Sequence, residues 1–178
     1  NFQRGLGLAG QPPLDAIAGT VGIRFDDEHR RVGPKGWLAL SPDGTIWAHP
    51  KRLAAPAEWA RVLALDYVSL GFGLVRQREP QTLWEIAGLL VAERFCQEAG
   101  IGATSELLLH PDVEISISGE AALFAGLVAE GCDPALPLWR EALCGKGMTV
   151  FLPADERTGM RRPPDWRGLL VDGIARVD

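Results

Sequence analysis

The side chains able to do chemistry are few and widely spaced in this chain of 178 residues. Its three histidines, His29, His49 and His110, could join Asp66, Glu93 or Asp112 in a metal or hydrolytic site, but their spacing matches no ligand pattern. His49-Pro50 and His110-Pro111 instead read as punctuation at the ends of elements, because a residue before proline is steered out of the helical region. The cysteines Cys96, Cys132 and Cys144 are odd in number and lack Cys-x-x-Cys spacing, which fits reduced packing thiols better than a disulfide framework. Cys96 falls near the end of an apolar helix and is expected to be buried and inert. Gly5 to Gly10 is glycine-rich but follows no strand and lacks the lysine of a phosphate-binding loop.

The elements that would position these groups can be read from periodicity. Gly5 to Pro13 is rich in glycine and proline, and residues 1–13 are expected to be a flexible arm. Strand-like alternation follows at Thr20 to Phe25, Gly36 to Leu40 and Thr45 to His49. The last two flank Ser41-Pro42-Asp43-Gly44, where proline presets one dihedral and glycine accepts positive φ, so a small antiparallel sheet is expected. Pro56 opens a helix through Trp59, Val62, Leu63 and Val68 to the break at Gly71-Phe72-Gly73, and a second helix runs from about Gln81 to Ala99. Both are too apolar for surface helices. Further helices are expected between Ser118 and Gly131, from Pro137 to Cys144 and after Pro163, with a possible strand over Met148 to Leu152. The fold class is therefore α+β, with a small antiparallel sheet packed on a mainly helical body.

Composition bounds the function. With 47% hydrophobic residues the chain can bury a real core and fold as one domain. The 18 basic against 23 acidic residues give a formal charge of −5, and the basic residues are scattered, which argues against nucleic acid as a partner. The charged run Asp26 to Arg31 reads as a solvated loop between strands. No apolar run approaches the roughly 20 residues of a membrane span, so a cytoplasmic protein is expected. The abrupt ends, Asn1 and Asp178, suggest a piece of a longer chain. Six tryptophans fall in separate elements and are expected to serve the core.

The segment Leu63 to Leu70 has the frame of a zinc-peptidase helix without its ligands. In a His-Glu-x-x-His helix two imidazoles four residues apart hold the metal, and the glutamate between them activates water. Here Leu65 and Ser69 stand at the histidine positions and Asp66 at the glutamate position. Around it, Trp47-Ala48-His49-Pro50, Glu58 to Ala64 and Leu83-Trp84-Glu85-Ile86-Ala87-Gly88-Leu89 together resemble a bacterial metallopeptidase domain of the minimal zincin type, often found before a von Willebrand factor A-like domain. The resemblance covers about residues 36–102, with 103–178 as a helical C-terminal part. In that family the second helix adds an aspartate, and the matching position is Leu89; a following asparagine position is Glu93.

The resemblance thus implies a degenerate domain. Leu65, Ser69 and Leu89 mark a vestigial metal site, and no metal or cofactor is expected, since neither leucine offers a lone pair. Asp66 is one methylene shorter than glutamate and misplaced as a general base. A buried aspartate is costly unless hydrogen-bonded or neutralised, so Asp66 is expected either to face solvent or to find a partner. The function implied is a catalytically inactive, protein-binding or scaffolding module that presents a former substrate groove lined by His49, Asp66, Tyr67, Ser69 and Glu93. A protein or peptide partner is implied, with an AAA+ ATPase or a von Willebrand factor A-like protein as the family's companions, and neither nucleic acid nor membrane. Two alternatives stand beside it: a hydrolase with a rebuilt site drawn from His49, Asp66, Glu93 and His110, and a structural subunit of a larger complex.

Overall fold

A computed structural model describes residues 1–28, 30–33, 36–100, 119–129, 131, 149–153 and 163–177. Its elements, in chain order, are α1 (Phe2–Ala9), α2 (Asp15–Ala18), β1 (Gly22–Phe25), β2 (Leu38–Leu40), β3 (Thr45–Ala48), α3 (Pro56–Gly71), α4 (Gln81–Glu98), α5 (Glu120–Ala129), β4 (Thr149–Phe151) and α6 (Trp166–Ile174). The fold is α+β. His29, His110, Asp112, Ser118, Cys132, Trp139 and Cys144, the helix expected over Pro137 to Cys144 and Met148 at the start of the last expected strand lie outside the described residues.

The four strands form one sheet in the order β1-β3-β2-β4. Its centre is the expected antiparallel hairpin of β2 and β3, pairing Leu38 with Ala48 and Leu40 with Ile46. The turn between them is fixed by Asp43, whose carboxylate accepts hydrogen bonds from the Ser41 hydroxyl at 2.6 Å and the Thr45 N–H at 2.9 Å. Gly44 sits there at φ 85°, and a Cβ on it would lie 2.4 Å from the Trp166 ring, so conformation and space both demand glycine. The outer strands pair differently: β1 joins β3 and β4 joins β2 in parallel, making the sheet mixed. Parallel neighbours need a crossover between them. Here β1 reaches β3 after β2 has been laid down, and β4 arrives only after the helices.

Register assigns the faces. Ile23, Leu38, Leu40, Ile46, Ala48, Thr149 and Phe151 share one face, and Arg24, Ala39, Trp47 and Val150 the other. Leu38, Leu40, Ile46, Ala48 and Phe151 join a continuous core with Trp59, Leu63, Leu65, Val68, Ile86, Leu89, Leu123 and Leu170. Helix α3 is buried along nearly its whole length, from Trp59 to Gly71. It begins at Pro56, and the Glu58 carboxylate accepts the Ala55 N–H at 2.6 Å, satisfying a donor at the helix entrance.

The N-terminal segment corrects the sequence reading. Residues Phe2–Ala9 are not a flexible arm but a helix packed on α3. The glycine that suggested a loop is the reason the helices approach so closely: a Cβ on Gly5 would fall 2.4 Å from the Trp59 Cβ. Phe2 adds an edge contact to Trp59 with ring centroids 4.9 Å apart. Tertiary packing here overrides glycine's poor helix propensity. Replacing Gly5 with alanine is therefore expected to destabilise the fold by about 1–3 kcal/mol through overpacking, despite alanine's higher propensity. A thermal or urea melt of Gly5→Ala checks this, and a stabilised variant would contradict the packing.

Candidate functional site

Helix α3 carries Asp66 and Ser69 one turn apart, and Asp66 faces Thr149 of β4. Both are fully buried at 0% exposure, and Thr149 on β4 is buried beside Asp66. Neither Asp66 oxygen, nor the Ser69 Oγ, nor the Thr149 Oγ1 makes a hydrogen bond among the described residues. The Thr149 hydroxyl faces the carboxyl and favours its ionised form, but the approach falls short of hydrogen-bond geometry. Burial dominates and pushes the Asp66 pKa up to about 8. Near neutrality the group is therefore mostly a neutral acid, which is how a carboxyl survives in an apolar interior. The neighbouring Tyr67 phenol is also raised, first by burial and then by Asp66.

This placement answers the expectation for Asp66: it faces no solvent and has no well-formed partner among the described residues, so neutralisation is the route it takes. The groove reading needs correction on the same ground. Asp66, Tyr67, Ser69 and Glu93 are each no more than 1% exposed and so offer a binding partner no surface. His49 alone is partly exposed, at the end of β3, where its Nδ1 accepts the Lys51 N–H at 3.2 Å.

The residues at the positions of the expected ligands do not suit zinc. Leu65 and Leu89 are core residues at 2% and 1% exposure and bring no donor atoms, leaving the Ser69 hydroxyl as the one potential ligand of the three. Among the described residues no three His, Cys, Asp or Glu side chains are grouped so as to hold a metal ion. His49, Asp66 and Glu93 thus do not converge as a rebuilt site would require.

Glu93 has a different occupation. It lies on α4 and receives the Arg61 guanidinium of α3 in a two-pronged ion pair: Nε donates to Oε2 at 3.0 Å and Nη2 donates to Oε1. The same Nη2 reaches the Glu93 carbonyl at 3.4 Å, and the Gln97 amide donates to Oε1 at 3.1 Å. Arg61 and Glu93 are 3% and 1% exposed. Burial pulls the Arg61 pKa down, while the Cys96 thiol acts in the opposite direction. Cys96 is fully buried as expected, and burial raises its pKa to about 11 against the opposing pull of Arg61, so little thiolate forms at neutral pH.

Sequence reasoning missed Arg61 and Thr149. Arg61 was legible in principle, as the one cation within the apolar run Trp59 to Leu65, since a charge on a core helix demands a counter-charge on whatever packs against it. Thr149 carried no signal, because its role depends on which residue of β4 faces α3.

No protein-family model, no curated protein and no solved structure matches the chain.

Proposed function

We propose that the chain is a non-catalytic protein-binding or scaffolding module built on a metallopeptidase-like helix pair. The observation that carries this reading is the closure of the α3–α4 interface: the positions where a zinc peptidase would present ligands are Leu65, Ser69 and Leu89, all buried, and Asp66 beside them is an enclosed neutral acid. Zinc catalysis needs an open coordination position and a water within reach of a base. A closed, apolar helix pair instead favours a rigid platform. Its partner surface then lies outside the former groove, on residues that remain exposed. An AAA+ ATPase or a von Willebrand factor A-like protein is the partner class suggested by the resemblance of residues 36–102.

Elemental analysis and a peptidase assay on the purified protein test the reading. The expected outcome is zinc far below one equivalent and no peptide hydrolysis that depends on Asp66. Stoichiometric zinc together with hydrolysis abolished in Asp66→Asn would overturn it.

A further inference from the structure

Strand β1 is an edge strand at the opposite end of the sheet from β4, where Thr149 meets Asp66. Its residues are exposed except for the half-buried Ile23, and Phe25 retains 47% of its surface. The ladder fixes which backbone groups are in use. Gly22 donates its N–H to the Gly44 carbonyl at 3.0 Å and Asp26 donates to the Ala48 carbonyl at 2.9 Å. In a parallel pair alternate residues turn both backbone groups to the same neighbour. Gly22, Arg24 and Asp26 therefore serve β3, while Ile23 and Phe25 turn their N–H and C=O groups outward, to a side where no described strand lies.

Side chains flank this edge in two different characters. On the outer face the guanidiniums of Arg24 and Arg31 lie 5.3 and 4.0 Å from the ring centroid of Trp47. Both arginines are exposed, and neither lies within ion-pair distance of a carboxylate among the described residues, although Arg31 is near enough to the Asp26 carboxylate to help lower its pKa. In a chain with 23 acidic residues against 18 basic ones, two guanidiniums gathered on a single indole put positive charge on this outer face. Glu28 on the following loop is occupied by Arg30 at 2.8 Å, and the carboxylate of Asp26 is occupied by the N–H groups of Arg30, Arg31 and Val32. On the core-side face Phe25 packs against Phe2 with centroids 5.5 Å apart, leaving an apolar shelf.

We propose that β1 is a docking edge for an extended peptide of a partner protein in which acidic and apolar residues alternate. Such a strand adds to the sheet through the free N–H and C=O groups of Ile23 and Phe25. Alternate side chains of the added strand point to opposite faces, so its acidic residues meet the guanidiniums of Arg24 and Arg31 while its apolar residues meet Phe2 and Phe25. This rests on the protein-binding reading and names the chemistry of the partner.

The test is titration of the whole chain with a short synthetic peptide alternating glutamate and valine. Three comparison peptides accompany it: one with lysine for glutamate, one of the same composition with the acids in a block, and one N-methylated at alternate backbone nitrogens. The alternating acidic peptide is expected to bind, more weakly as salt rises. The Arg24→Glu/Arg31→Glu protein, altered at exposed positions only, is expected to bind about tenfold more weakly. N-methylation on the edge-facing nitrogens is expected to abolish binding. Equal binding of the lysine or N-methylated peptide, or no binding at all, overturns the proposal. So does a dimer in sedimentation that Phe25→Asp dissolves, which would assign the edge to a second copy. Failure of these titrations in a zinc-free, inactive protein removes the docking edge and leaves the scaffolding reading intact. Stoichiometric zinc with Asp66-dependent hydrolysis removes that reading whatever the peptide does.

Discussion

Replacing Arg61 with methionine while Glu93 stays in place is expected to lower the unfolding free energy by about 3–5 kcal/mol, the typical cost of stranding a charge inside a protein. Both side chains are enclosed, and the guanidinium occupies both oxygens of the Glu93 carboxylate. Without it the carboxylate keeps one hydrogen bond, from Gln97. Removing Glu93 instead, as Glu93→Leu, takes the two-pronged partner from a buried guanidinium and is also expected to destabilise the fold. The double variant Arg61→Met/Glu93→Leu is expected to recover most of the loss, because an apolar pair of similar volume carries no desolvation penalty. Urea denaturation of the four proteins forms a double-mutant cycle whose coupling term is the quantity of interest. Additive single losses would mean that the pair is not coupled in the folded state.

The second large effect concerns Asp66 and pH. Its folded pKa is raised to about 8 from the ordinary carboxyl value of 3.8, so the folded state holds a proton that the unfolded state releases. Below about pH 4 the acid is protonated in both states and does not affect stability. Between about pH 4 and about pH 8 the unfolded chain alone ionises, and stability falls with rising pH by up to about 1.4 kcal/mol per pH unit. Above the folded pKa the loss is complete. Asp66→Asn removes the titration while keeping the shape, so its stability is expected to match wild type near pH 4 and to exceed it increasingly toward pH 8. Urea midpoints across that range decide the matter; parallel pH profiles for the two proteins would show that Asp66 does not carry the linkage.

These two groups also show where a sequence is legible. The hairpin, its Asp-Gly turn and the two apolar helices follow from local periodicity and turn chemistry, and they appear within a residue or two of the expected bounds. What was not legible depends on long-range geometry. The parallel pairing of β1 and β4 is set by which edge of the hairpin each strand reaches, a choice with no local signature. Helix α1 was read as an arm because glycine is ordinarily a breaker, yet Gly5 is there to let Trp59 approach. Asp66 was recognised as costly if buried, but its enclosure became plain only with Thr149 and Ser69 beside it. Glu93 was read as a groove residue from its place in the family resemblance, and its partner, Arg61, lies 32 positions away on another helix.

The contacts of α6 bear on how the molecule is assembled in time. The Trp166 indole donates to the Pro42 carbonyl at 3.0 Å across 124 positions, and Arg176 grips Asp15 with both terminal nitrogens across 161. The entropy of closing such loops grows slowly with their length, but it must be met before the contacts return anything. The hairpin and the first helices can form early from neighbouring residues, whereas the turn at Gly44 and the start of α2 gain their covers only when α6 docks. On a ribosome, the early elements would wait until residues 166–176 had been made, with the Gly44 turn open to water until Trp166 arrives.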